Sequence, residues 1–324
     1  MNIKIKKLIE GLDSKTGTAV SLMIESNESN KKEFTSELLK FTNPFYIYNA
    51  ARYIKGLDLK TLAEAIIKIN NLEYIYKFAK DINDAPIDIL ENAIAKSNNS
   101  YYICLFAQNV KNSNKNKLAT SLIQIGNYTY VEVFARTIKN GLTILFDAIE
   151  KEKNAKHIYE FAKYFNYNLD KLTDEIINTK DVEYIYSFSK DIKNIDIEKL
   201  EKAIISLHEP KYIYLFAKDV EEANIILLQN AIIKSNNAEY IYKFARDVKG
   251  ANIDKLFDAI VKTNNYEYIF YFTLLVGKER FKEIEAILIK DAFYLALFNE
   301  LINNPNYIGF QNKKEVVMKK VLKK

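Results

Sequence analysis

A chain of 324 residues, 48% of them hydrophobic, is long enough to bury a substantial core. Only 8 glycines and 4 prolines leave little room for irregular connections, and no run of apolar residues is long enough to form a membrane-spanning helix. The net charge of +5 is matched by six lysines against one glutamate between Phe310 and Lys324, so the rest of the chain is neutral, unlike a body built to neutralise phosphate.

Taken in chain order, Ile3 to Leu12 predicts a short helix whose alternating Ile and Lys lack the apolar run of a secretory leader. Thr18 to Ser26 and Phe34 to Phe41 then carry worn versions of a pattern that becomes regular at Tyr46. From there to about Phe293 a segment of 28 residues recurs nine times, marked by Tyr-Ile-Tyr-x-Phe-Ala-Lys/Arg-Asp and clearest from Tyr74, Tyr184, Tyr212 and Tyr240. A fixed period of this size predicts stacked supersecondary units, because one unit is too small to bury its own apolar face.

With the first Tyr as position 1, positions 1, 2, 5, 6 and 9 are apolar, as in Tyr240, Ile241, Phe244, Ala245 and Val248. At 100° per residue they span an arc of about 140°, the stripe of an amphipathic helix A. A polar break follows, such as Lys249 to Asn252, and then a helix B with Leu at position 17 and Ala-Ile-Ile after it, as in Leu228 and Ala231 to Ile233. Helix B often ends in Asn-Asn (Asn70-Asn71, Asn98-Asn99, Asn236-Asn237, Asn264-Asn265), where one Asn suits a left-handed helix end and the next suits a cap. Gly56, Gly141, Gly250, Gly277 and Pro86 are expected in the A–B breaks, and Pro44 and Pro210 just before a helix A. Phenylalanine at position 5 sets the register at Phe78, Phe106, Phe134, Phe161, Phe188, Phe216, Phe244 and Phe272, with two intervals shortened to 27 residues. Phe293 to Ile302 reads as a worn helix A, and Asn312 to Leu322 as a basic helix with one Val/Leu side.

The expected fold is therefore all-α: a right-handed α-solenoid of about nine 28-residue helix-turn-helix repeats. Residues 1–43 would form an N-terminal cap, 44–293 the tandem repeats, and 294–324 a degenerate C-terminal repeat with a basic tail. On this hairpin periodicity, roughly residues 18 to 310 resemble the helical-hairpin α-solenoids, the group that includes TPR, Sel1-like, HEAT and pentatricopeptide arrays. The chain has no Trp and no 34-residue period. The resemblance therefore implies an architecture, and no family's ligand residues transfer to it.

In a stack, equivalent positions form columns. Position 3 is Tyr48, Tyr76, Tyr159, Tyr186, Tyr214 and Tyr242, and position 7 includes Arg52, Lys80, Lys163, Lys190, Lys218 and Arg246. Aromatics beside cations suit a single nucleic-acid strand, with stacking on the rings and phosphate contacts beside them. They also suit the edge of a protein- or peptide-binding surface, or plain packing, with each Lys stem laid over a Tyr ring and Asp81, Asp191, Asp219 and Asp247 at position 8 paired with basic residues of an adjacent repeat. The neutral body and the interleaved carboxylates favour packing. Position 4 varies most and reads as an outward-facing column, either for partner specificity or drifting neutrally on a solvated face, with Leu105, Val133, Leu215 and Tyr271 its apolar members.

No catalytic constellation, metal-spaced cluster or Gly-rich phosphate loop stands out, and no cofactor is expected. His157 and His208 lie far apart and read as packed or solvated imidazoles, while the single Cys104 excludes an internal disulfide and fits a reducing cytoplasm. The expectation is a non-enzymatic cytoplasmic scaffold that binds a protein or peptide along an extended curved surface. Its alternative is single-stranded nucleic-acid binding through the Tyr and Lys/Arg columns.

Overall fold

The computed structural model describes residues 3–12, 14–25 and 28–303, so the basic helix expected over 312–322 lies outside the described residues. Every regular element described is helical. The chain divides into two compact units, Met1–His157 and Ile158–Lys324.

The first unit holds α1 (Ile3–Glu10), α2 (Ser14–Glu25), α3 (Glu28–Leu38), α4 (Pro44–Tyr53), α5 (Leu59–Ile69), α6 (Leu72–Asp81), α7 (Ile87–Ala95), α8 (Ser100–Asn109), α9 (Lys115–Ile125), α10 (Tyr128–Thr137) and α11 (Gly141–Glu152). The division falls in α12 (Ala155–Phe165). The second unit continues with α13 (Leu169–Asn178), α14 (Val182–Asp191), α15 (Ile197–Ser206), α16 (Pro210–Asp219), α17 (Ile225–Lys234), α18 (Ala238–Asp247), α19 (Ile253–Lys262) and α20 (Tyr266–Phe272). A 3₁₀ turn at Lys278–Arg280 leads into α21 (Phe281–Leu288) and α22 (Ala292–Asn303).

Among the described residues of each unit the substantial contacts join helices one or two places apart in the chain, apart from those of α1 with α4. Helices α4, α6, α8 and α10 form one layer and α5, α7, α9 and α11 the other; the second unit repeats this with α14, α16, α18 and α20 against α13, α15, α17 and α19. Packing is sequential, as in a helical repeat. The core lies between the layers, where Phe78, Phe106 and Phe134 in the first unit and Phe161, Phe188, Phe216, Phe244 and Phe272 in the second are all 0% exposed. Burying each ring contributes roughly 1.5–3 kcal/mol.

Local chemistry fixes the helix ends. Asn70, Asn98, Asn236 and Asn264 all adopt positive φ. The Asn after each of them accepts the N–H of the first core Tyr: Asn71 from Tyr74, Asn99 from Tyr102, Asn237 from Tyr240 and Asn265 from Tyr268. One residue thus closes helix B and its neighbour opens the next helix A. Pro44 and Pro210 occupy the first turn of α4 and α16, where a missing N–H is harmless. Gly141, expected in a break, is instead the first residue of α11, and it must be glycine because a Cβ there would sit 2.5 Å from the Phe134 carbonyl oxygen. Gly17 in α2 serves a similar approach, its missing Cβ leaving room for the Tyr53 side chain at 2.5 Å.

Candidate functional site

Along the helix-A layer the position-3 tyrosines meet the hairpin that follows. In the first unit Tyr48 Oη donates to Asp81 Oδ2 at 2.7 Å, and Arg52 Nη1 donates to the same hydroxyl at 3.2 Å. In the second unit Tyr159 donates to Asp191, Tyr186 to Asp219 at 2.6 Å and Tyr214 to Asp247 at 2.7 Å. Each of these pairs joins a position-3 Tyr to the position-8 Asp of the next hairpin. The bond forms wherever both residues are present. Tyr76 has no such partner because the corresponding residue is Asn109, whose amide turns back to the Leu105 carbonyl.

Cations close the ladder from outside. Lys163 and Lys190 reach Asp191 and Asp219 at 3.7 and 3.9 Å, so the expected pairing across adjacent hairpins is present. Arg246 instead grips its own neighbour, with Nε and Nη2 each 2.7 Å from the Asp247 carboxylate. Arg52, Lys80, Lys163, Lys190, Lys218 and Arg246 all stand over the Tyr ring one turn back, at 5.4 to 6.0 Å from its centroid. The rings also pack on one another along the layer, Tyr48 edge to face on Tyr74 at 5.8 Å and Tyr214 tilted on Tyr240 at 6.1 Å.

These surroundings shift protonation. Burial, aided by the Asp81 bond, pushes the Tyr48 hydroxyl up to about 12, and the same causes raise Tyr159, Tyr186 and Tyr214. For Asp247 burial opposes ionisation, but the Arg246 and Tyr214 bonds outweigh it and hold the carboxyl below its ordinary value. Cys104, which replaces a column Tyr, is buried, donates to the Tyr130 carbonyl at 3.4 Å and is pushed up to about 12 by desolvation. That thiol is not activated.

Within each unit the structure sets these tyrosines against the neighbouring hairpin and leaves little of them free. Tyr48, Tyr214 and Tyr242 are only 3–7% exposed, and Tyr76, Tyr159 and Tyr186 are half-buried. Position 4 corrects the sequence reading, because no member faces fully outward. Asn49 and Tyr271 are buried and Leu105, Val133 and Leu215 half-buried. Position 4 lies only about 60° beyond the arc on the side opposite position 3. Tyr271 meets the hairpin before, packing on Tyr242 at 5.8 Å. Tyr271 also donates to Glu267 at 3.0 Å.

A second column escaped the sequence reading. Glu91 Oε2 accepts the backbone N–H of Asn114 at 2.6 Å, Glu201 Oε2 that of Asn224 at 2.7 Å, and Gln229 Oε1 that of Asn252 at 2.7 Å. All three acceptors are buried, and each binds the residue capping the next helix B. The available signal was an acid or amide directly after the position-17 leucine (Leu90, Leu200, Leu228). Large apolar side chains also remain in water, among them Ile226 at 71%, Ile289 at 68% and Phe293 at 64% exposure.

Among the described residues no group of three or more His, Cys, Asp or Glu is placed to hold a metal ion, and no helix is long and apolar enough to cross a membrane. His157 Nδ1 lies 2.8 Å from Glu152 Oε2, and His208 occupies a positive-φ turn after α15.

Sequential two-layer packing makes this an all-helical, repeat-like protein. No family model matches the chain, and neither does any curated protein. Among solved structures, a circular tandem repeat protein with novel repeat topology and enhanced subunit contact surfaces matches 95% of this chain at 13% identity, with a TM-score of 0.13. The chain spans 66% of that protein's length, just under two thirds. At that score the likeness carries no argument.

Proposed function

We propose that the protein is a non-enzymatic scaffold that binds a protein or peptide along an extended surface, built as a right-handed array of about nine 28-residue hairpins with degenerate ends. One observation carries this reading: large apolar side chains close to one another in sequence stand exposed to water. Ile226 adjoins Leu227 at the start of α17, and Ile289 and Phe293 flank the turn from α21 to α22. Apolar groups held in water favour a surface that gains by being covered.

The nucleic-acid reading has less support. A base needs an open ring face, whereas Tyr48, Tyr214 and Tyr242 are buried and each carries a cation over its ring. The hydroxyls of Tyr48 and Tyr214 are also committed to aspartates.

Capture from native cell extract, followed by mass spectrometry and nucleic-acid detection, tests the proposal. The expected result is a protein partner whose recovery falls when Ile226→Asp and Phe293→Asp are combined. Capture of nucleic acid that is released by salt and lost in the Lys190→Glu, Lys218→Glu, Arg246→Glu triple variant would overturn it.

A further inference from the structure

Two equivalent buried carboxylates are treated differently by the chain. In the first unit Glu91 uses Oε2 to accept the Asn114 N–H, while its Oε1 lies 3.4 Å from Lys117 Nζ. Lys117 is the third residue after the cap Asn114, and it also donates to Asn92. In the second unit Glu201, 2% exposed, uses Oε2 in the same way on Asn224. The third residue after that cap is Leu227, not a lysine. Glu201 Oε1 therefore finds no hydrogen-bond partner among the described residues, and because no fully enclosed side-chain oxygen is left unbonded, it opens on a groove.

That groove has a volume of about 480 Å³ and is lined by Glu201, Ile195, Ile197 and Leu227, with Asp196, Glu198 and Glu222 as further carboxylates. Its one lysine, Lys202, is bonded to Glu198 and not to Glu201. Desolvation holds the Glu201 carboxyl above its ordinary value despite the Asn224 bond, as befits a buried acid without a bonded cation.

We propose that this groove accepts a lysine side chain from an apolar segment of a partner protein, its ammonium taking beside Glu201 Oε1 the place that Lys117 Nζ takes beside Glu91. Charge selects the ammonium, since the walls carry four carboxylates against one lysine. Ile195, Ile197 and Leu227 suit the methylene stem and the flanking apolar residues. The nature of the occupant rests on the scaffold reading above; the accessibility of Oε1 from the groove does not.

The test uses the full chain and two peptides, acetyl-Ile-Lys-Ile-amide and its norleucine counterpart, with butylammonium as a third probe. Binding is followed by NMR at the Asn224 amide and the Glu201 carboxyl carbon. The lysine peptide is expected to bind at least about tenfold more tightly than the norleucine peptide, and Glu201→Gln to erase that preference. The Glu201→Gln variant keeps the fold, because Gln229 makes the same cap bond one hairpin on. The double variant Lys202→Asn, Leu227→Lys copies Asn92 and Lys117 into the groove and is expected to lower the Glu201 pKa and block the peptide. Equal binding of both peptides, no binding of either, or an unaltered preference in Glu201→Gln would overturn the proposal. Butylammonium binding as tightly as the lysine peptide would overturn the protein occupant in favour of a small amine. If Glu201→Gln still captures a protein from extract while the peptide fails to bind, this site falls and the scaffold reading stands.

Discussion

Tyr214 donates its hydroxyl to Asp247 Oδ2 at 2.7 Å, while Arg246 holds both oxygens of the same carboxylate. Two hairpins are thereby joined by one charge-assisted bond at the edge of their shared core. Hydrogen bonds to charged groups contribute about 1.5–3 kcal/mol. Tyr214→Phe keeps the ring and removes only the donor, so it should destabilise by about 1–2 kcal/mol in denaturant unfolding. Tyr76→Phe, with no aspartate opposite, should change stability by less than about 0.5 kcal/mol.

Glu201 and Gln229 make the same backbone bond, one as an acid and one as an amide. Burial raises the Glu201 carboxyl above its unfolded value, so its favourable contribution is full below the unfolded pKa and fades as pH rises through the folded one. At neutral pH, Glu201→Gln should be neutral or stabilising, with the gain disappearing near pH 4. Glu201→Ala leaves the Asn224 N–H without its acceptor and should cost about 1–3 kcal/mol. Thermal melts across pH for both variants check the sign.

Alkaline pH should loosen the tyrosine ladder. Tyr48 is raised to about 12, first by burial and then by Asp81. Its stabilising contribution is therefore complete below pH 10 and lost as pH climbs through 12. Stability measured from pH 9 to 12 should fall over that window, and Tyr48→Phe should reduce the fall. A flat profile would show that the Tyr48 hydroxyl ionises as freely in the folded chain as in the unfolded one.

Helix class, sequential packing and caps were legible because each has a local cause. Asn70 and Asn71 specify a left-handed turn and a cap by their own chemistry, and Phe188 announces the buried stripe by its spacing. The aspartates were recognised as partners for lysines across hairpins, but their tyrosine donors were not, since the bond depends on how one hairpin sets against the next. Position 4 misled for the same reason: on an isolated helix Tyr271 looks outward, and its packing on Tyr242 of the preceding hairpin is not local. Glu201 was hidden because a glutamate in an amphipathic helix ordinarily belongs to the solvated face.

The central claim is that neighbouring hairpins are each other's hydrophobic core. Phe188 lies fully buried in α14, which packs on α13, α15 and α16. Phe188→Ala removes about 3–5 kcal/mol from that site. Native-state hydrogen exchange on this variant tests the claim most directly. The account predicts lost amide protection centred on α13 to α16, with α20 to α22 retaining theirs. An equal loss of protection across all helices of the second unit would contradict it.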